Sequence, residues 1–326
     1  MISAAIRVID SIPPQALVVV SRSLQALATP IVALLIATSG SLAGEIKDAI
    51  SFCNVLFVGN LCASFVVLSA FGPRRIGTGL RQLSSRLRVE LLGFAALAAL
   101  LSSLIFIALE TTMVTNVVLL ARLGPVLFVV GSALLIGQTI AKFEWLGFGL
   151  IGLGVVVTVF AGSGFQLAKG DLLILASAVV YAVVTMMSKR LLPETGLPTL
   201  VFARNFFSAI VFFILASYLY GFDHFMHAFY GPLWGIMVVY ALVIVVVSQL
   251  AWYRGISLLS PASVARWTVM TPVLAIGYAY LINGERPSTT QFLALGFVMV
   301  GILVSNIGKF TPKGGSDSAE GSVAAS

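Results

Sequence analysis

Charge is what this sequence has least of. Only 10% of its 326 residues are Asp, Glu, Lys or Arg, while 59% are hydrophobic, so a water-facing surface cannot be assembled from it and a soluble globular protein is excluded. Histidine is nearly missing. The two present, His224 and His227, lie three residues apart with Asp223 as the one nearby carboxylate; they read as an interfacial loop and no metal centre is expected. Cysteine is limited to Cys53 and Cys62, nine residues apart on one apolar segment. They cannot bridge each other along a helix, so both are assigned to packing. Alternation of polar and apolar residues with period two is lacking over the long apolar runs, which excludes a β-barrel. No polar stretch is long enough for a separate soluble domain. A charged start followed by an apolar core and a cleavage site is also lacking, so residues 1–13 read as a short cytoplasmic leader and not as a signal peptide.

What is present is a series of long apolar runs. Residues 49–73, 91–109, 123–141, 145–168, 228–253, 267–284 and 287–308 each hold no Asp, Glu, Lys or Arg for 18 residues or more. A helix needs about 20 residues to cross the hydrocarbon core. Segments 14–37, 172–188 and 196–220 raise the number to ten spans if 111–137 and 262–283 are each taken as one helix. The tail 308–326, rich in Gly, Ser and Ala, reads as disordered and cytoplasmic.

Loop charges give the orientation. With an inner N-terminus, the inner segments hold twelve cations (Arg7, Arg74, Arg75, Arg81, Arg86, Arg88, Lys142, Lys189, Arg190, Arg254, Lys309 and Lys313) and the outer loops three (Lys47, Lys169 and Arg286). That bias places both termini in the cytoplasm of a bacterial cell, with the chain a multi-pass protein of the inner (plasma) membrane. The cationic segment 74–88 could meet anionic lipid headgroups, but topology alone already explains it. The net charge of +7 therefore reports orientation, and no nucleic-acid partner is expected.

The chain also repeats itself. At an offset of 147, Pro125-Val126-Leu127 meets Pro272-Val273-Leu274, and Gly137, Gly149 and Gly154 meet Gly284, Gly296 and Gly301; at 145, Phe57-Val58-Gly59-Asn60 meets Phe202-Ala203-Arg204-Asn205. The halves are residues 14–162 and 170–307. Five is an odd number of spans, so the second half enters the membrane with opposite polarity. The expected fold class is an all-α polytopic membrane protein with ten transmembrane helices as two inverted five-helix repeats, the architecture of secondary transporters with a mid-membrane site.

Ten spans in this arrangement, the proline-bearing ARLGPVLFVVGSALLIG and its partner VARWTVMTPVLAIGYAYLINGE, and the glycine-spaced GFGLIGLGVVV and ALGFVMVGILV resemble the EamA branch of the drug/metabolite transporter superfamily over residues 14–307. The resemblance implies spans three, four, eight and nine as a basket around a central cavity, with one, two, six and seven beside them and five and ten at the periphery. It further implies transport of small metabolites with no nucleotide cofactor. The acidic residue that often closes the proline span is kept as Glu285 but is Gln138 in the first half. Gly147, Gly149 and Gly152 also fit a dinucleotide fingerprint, yet no strand precedes them; close helix approach explains them.

Four arginines, Arg22, Arg122, Arg204 and Arg266, fall within spans. A charge at the bilayer centre costs about 2.5–3.5 kcal/mol on insertion scales, and almost no acidic partners accompany them. They are therefore the leading substrate-binding candidates, joined by Asn60, Asn205, Tyr181, Gln249, Trp252 and Tyr253, with Ser102, Ser103, Ser248 and Trp267 as further cavity residues. Glu110, about 12 residues before Arg122, is expected to pair with it as an outer clamp, or as a gate coupled to protons. Pro125 and Pro272 are the candidate helix hinges.

These residues point to a secondary transporter of a small anionic or zwitterionic metabolite, such as an amino-acid derivative, organic acid or phosphorylated compound. Efflux is the commoner role in the resemblance. A lipid or headgroup flippase would share the fold. An integral-membrane enzyme acting on lipids would need a carboxylate or histidine cluster, and Glu90 and Glu110 stand apart from any histidine, so no catalytic residue is assigned. Membrane lipids are the only other partner expected; a monomer suffices and a homodimer is compatible.

Overall fold

The computed structural model describes residues 12–38, 52–136, 139–163, 168–221, 231–259, 267 and 270–307. The expected leader (apart from residues 12 and 13), the tail 308–326, His224, His227, Gln138 and Arg266 lie outside them. Every regular element among the described residues is helical: α1 (Pro14–Ala37), α2 (Phe52–Phe71), α3 (Pro73–Gln82), α4 (Ser85–Leu109), α5 (Val114–Leu120), α6 (Leu123–Ile136), α7 (Lys142–Ser163), α8 (Lys169–Thr195), α9 (Leu197–Tyr220), α10 (Gly231–Tyr240), a π-helical stretch (Ala241–Val247), α11 (Ser248–Leu258), α12 (Thr271–Asn283) and α13 (Thr289–Ser305). Seven segments are long and apolar enough to cross a membrane, ending with Leu197–Leu215, and three shorter apolar ones follow at Leu233–Val247, Thr271–Asn283 and Thr289–Ser305.

Proline sets the break between α5 and α6. Pro125 has no N–H to return to Ala121 four residues back, and its ring crowds that carbonyl. The Ala121 carbonyl accepts instead from Gly124 N at 3.1 Å, and the Leu119 carbonyl from Arg122 N at 3.2 Å. The single helix expected over 111–137 is thus two helices meeting at Ala121–Arg122. Pro272 acts differently: it sits in the first two positions of α12, where a missing N–H costs nothing.

α3 departs from the expected loop. The sequence PRRIGTGLRQ is polar overall, yet Ile76 is buried beside Val67, Val201 and Val246. Its one apolar face anchors a short helix between two spans. Arg88 Nη2 closes its far end by donating to the Arg81 carbonyl at 3.0 Å.

Helix pairing follows small residues. A Cβ on Gly147 would lie 2.5 Å from the Gly301 carbonyl oxygen, and one on Gly301 2.7 Å from the Gly147 oxygen. Only glycine at both positions lets the α7 and α13 backbones touch. Elsewhere α2 packs on α9, α4 on α8, and α1 on both α11 and α12. Apolar side chains fill the seams; Val58, Leu233 and Met237 are fully buried between α2 and α10.

A polar belt ties helix ends of the second half to the first. Gly284, in the left-handed conformation at φ 66°, ends α12 and turns the chain so that Glu285 meets the start of α5. Its carboxylate accepts from Val114 N at 2.7 Å, Thr115 N at 3.0 Å and Thr115 Oγ1 at 2.9 Å. The first N–H groups of a helix have no partner of their own, so this acid from 170 residues away serves as their cap. Beside it Gln291 Nε2 donates to Asn116 Oδ1 at 2.7 Å, and Thr112 Oγ1 donates to the buried Asp171 at 3.0 Å.

Candidate functional site

Asparagine inside an apolar helix can satisfy its own amide hydrogens on the turn below. Asn60 of α2 donates from Nδ2 to the Leu56 carbonyl at 2.7 Å, and Asn205 of α9 from Nδ2 to the Val201 carbonyl at 2.8 Å. A carbonyl can only accept, so in both the NH2 is turned to the backbone and the amide oxygen points away as an acceptor. The two positions matched by the offset of 145 thus adopt one geometry.

Both asparagines line a cavity of about 280 Å³, a size suited to a small metabolite. Gln25 and Ala28 of α1, Asn60 of α2, Ser102 and Phe106 of α4, Arg204 and Asn205 of α9, and Met237 and Tyr240 of α10 contribute to its wall. Arg204 is the one charged side chain among the described lining residues. It stands seven residues into α9 and Asn60 eight into α2, about 10–12 Å from the helix starts at 1.5 Å per residue, so both lie within apolar spans. Ser102 Oγ donates to the Ala98 carbonyl at 3.1 Å and keeps its lone pairs.

Tyr240 precedes the π-helical stretch Ala241–Val247, and Ile244 and Val245 within that stretch also face the cavity. A π-helical turn takes one more residue than an α turn and is frequent at functional sites. Here it forms part of the cavity wall.

Arg22 is not among the described lining residues but reaches one of them, Gln25. Its guanidinium carbon stacks 3.4 Å from the Trp252 ring centroid, and Nη1 donates to Gln25 Oε1 at 2.7 Å. Gln25 is thereby held with its oxygen on Arg22, leaving its NH2 as a donor. Trp252, expected to contact substrate, is a platform for Arg22. Ser103 and Ser248 are turned to backbone carbonyls, of Ala99 at 3.0 Å and of Ser21 at 3.3 Å. Gln249 and Tyr253 are on α11, and Trp267 is exposed.

Arg122 and Tyr181 are not among the lining residues, and α5, α6, α8 and α12 contribute none. The described lining residues come from α1, α2, α4, α9 and α10 with its π-helical extension. Arg122 falls on the turn, and its Nε donates to the Val118 carbonyl at 3.2 Å. No ion pair between Glu110 and Arg122 is seen among the described residues, whereas Arg86 and Arg190 both pair with Glu90. Glu110 ends α4 with Lys169 as its charged neighbour. Burial raises its pKa above the ordinary carboxylate range, and Lys169 opposes that rise. Pro125 is exposed and Pro272 buried. Among the described residues no group of three or more His, Cys, Asp or Glu could hold a metal.

Sequence reasoning missed Gln25 and Tyr240. Gln25 carried a usable signal, an amide one turn from Arg22 in an apolar span.

The model of the EamA-like transporter family matches residues 24–160 and again 168–307. This chain belongs to that family. It is accordingly a multi-pass membrane protein of the drug/metabolite transporter superfamily, whose members carry out membrane transport of small molecules. It is 36% identical over 270 residues to an uncharacterized transporter of Synechocystis, sll1164, covering 80% of this chain and 77% of that protein. It is 26% identical over 204 residues to the uncharacterized transporter YetK of Bacillus subtilis, covering 60% of each. A crystal structure with 20% identity, matching 87% of this chain and 96% of its own, superposes with a TM-score of 0.55, which supports the helical fold of the EamA-like chain alone.

Proposed function

We propose that this chain is a secondary transporter that moves a small anionic or zwitterionic organic metabolite out across a bacterial inner membrane. Residues 14–162 and 170–307 are two inverted five-helix repeats that rock about the cavity, and both termini are cytoplasmic. The twofold match of the family model to the two halves supports the repeat. The observation that carries the substrate class is that Arg204, Asn60 and Asn205 line the same cavity. A guanidinium fits a carboxylate or phosphate with two parallel hydrogen bonds. The two amide oxygens add acceptors for an ammonium or hydroxyl group on the same molecule. A substrate with both an anionic group and a donor, as in an amino acid or its derivative, uses all three residues; a plain cation gains nothing from Arg204.

The test is thermal melting of the purified protein with amino acids, organic acids, sugar phosphates and organic cations. A ligand at 100 times its Kd stabilises by about 2.7 kcal/mol. Anionic or zwitterionic compounds should raise the melting point of wild type and not of Arg204→Ala. Stabilisation by cations alone, or equal stabilisation of the variant, would refute the substrate class while leaving the family untouched.

A further inference from the structure

Positive charge at the end of a membrane helix is ordinary, but convergence of several guanidinium groups from separate helices is not required by topology. Three helices bring such groups together here. α3 exposes Arg74, Arg75 and Arg81, α4 begins with Arg86 and Arg88, and α8 contributes Arg190. Arg86 Nε and Arg190 Nη2 both donate to the same oxygen of Glu90, at 3.1 Å and 3.0 Å. Residues 100 apart in sequence are thus held on one carboxylate. That carboxylate neutralises one of the two, and among the described residues no other acid is bonded to any of the six. Arg88 Nη2, bound to the Arg81 carbonyl at 3.0 Å, ties the α3 side of the cluster to the α4 side.

Directly along α4 from these arginines runs an apolar stripe. Val89, Leu92 and Leu100 are 68%, 47% and 45% exposed, with Ala96 exposed between them. Spacings of three and four residues place them on one helix face. The face begins one turn from Arg86, so a molecule with a phosphate and a long hydrocarbon chain would meet cations at its head and apolar side chains along its tail. A free phosphate would use only the first. α3 is fixed in place for this by the buried Ile76, which holds its arginines between the ends of two apolar spans.

We propose that the ledge formed by α3 and the adjacent ends of α4 and α8 is a binding site for an anionic phospholipid. Arg86, Arg88, Arg190 and Arg81 hold the phosphate, and an acyl chain lies on Val89, Leu92 and Leu100. The guanidinium forks suit phosphate oxygens, and anionic lipid is drawn to basic clusters beside membrane helices. The site is separate from the Arg204 cavity and does not depend on what the cavity carries.

The experiment is native mass spectrometry of the full chain released from detergent after incubation with equal amounts of dioleoyl phosphatidylglycerol and dioleoyl phosphatidylcholine. The expected result is at least tenfold more retained phosphatidylglycerol, falling to parity in Arg86→Gln/Arg88→Gln/Arg190→Gln. Equal retention of the two lipids by wild type overturns the proposal, and this comparison needs no variant to fold. Persistence of the preference in a folded triple variant overturns it too. A third arm adds inorganic phosphate in excess: displacement of the lipid by phosphate alone would show an anion site without an acyl groove and overturn the lipid assignment, whereas retention supports it.

Discussion

Replacing Glu285 with glutamine should loosen the two halves from each other by an amount the geometry allows to be worked out. The carboxylate accepts three hydrogen bonds, two from the first N–H groups of α5 and one from the Thr115 hydroxyl. Glutamine keeps one acceptor oxygen and puts an NH2 against an N–H that also donates, so at least one backbone group is left unsatisfied. Loss of a capping side chain costs about 1 kcal/mol, and a hydrogen bond to a charged group is worth about 1.5–3 kcal/mol. Together these give a loss of about 2 kcal/mol for Glu285→Gln and about 3 kcal/mol for Glu285→Ala, where no acceptor remains. At about 2–4 °C per kcal/mol, the scaling for soluble domains of 150–250 residues, the melting point should fall by about 5 °C and about 8 °C. Thr115→Val removes only the hydroxyl donor; its effect should shrink when Glu285 is already Gln, because the two share one interaction. A Glu285→Ala protein that melts with wild type, or strict additivity with Thr115→Val, would refute the cap.

Three further outcomes are expected. Because burial raises the proton affinity of Glu110 in the folded protein, with Lys169 opposing, the folded state binds this proton more tightly than the unfolded one. Its contribution therefore falls as pH rises through the interval above the ordinary carboxylate value, and melting from about pH 4 to about pH 7 should show a slope that Glu110→Gln flattens; an unchanged slope contradicts the assignment. Gly147→Val should destabilise by at least about 1–3 kcal/mol through overpacking, since its Cβ meets the Gly301 carbonyl at 2.5 Å, whereas Gly149→Ala, with nothing within 4 Å, should melt at or above wild type. Trp252→Leu should weaken ligand stabilisation about as much as Gln25→Ala does, by releasing Arg22 and with it Gln25; a Trp252→Leu protein with undiminished ligand response would remove Arg22 from the site's support.

The apolar spans were legible because about 20 uncharged residues have few alternatives to a membrane helix. Asn60 and Asn205 were legible for a different reason: the repeat matched them before any contact was known. α3 was not, since a ten-residue segment with five polar residues and only Ile76 and Leu80 as apolar anchors reads as a loop until Ile76 is seen buried. The π-helical stretch ALVIVVV reads as any other apolar run. The turn at Arg122 was not legible either, because its helix is apolar on every side and sequence periodicity gives no inward face. The Glu285 cap joins residues 170 apart, and nothing local announces it. Its residue type was noticed, but its partner follows only from how the halves pack.

The most direct measurement of the central claim is thiol labelling of Ser102→Cys, made in a background with Cys53 and Cys62 replaced by alanine. Ser102 lines the same cavity as Arg204, Asn60 and Asn205 without belonging to the anion contact. With a membrane-impermeant methanethiosulfonate reagent, the account predicts that the new thiol reacts. It also predicts that any anion or zwitterion that stabilises the wild type slows that reaction by about 100-fold when present at 100 times its Kd. Labelling that continues unslowed under a stabilising ligand would place the ligand elsewhere and contradict the cavity as the substrate site.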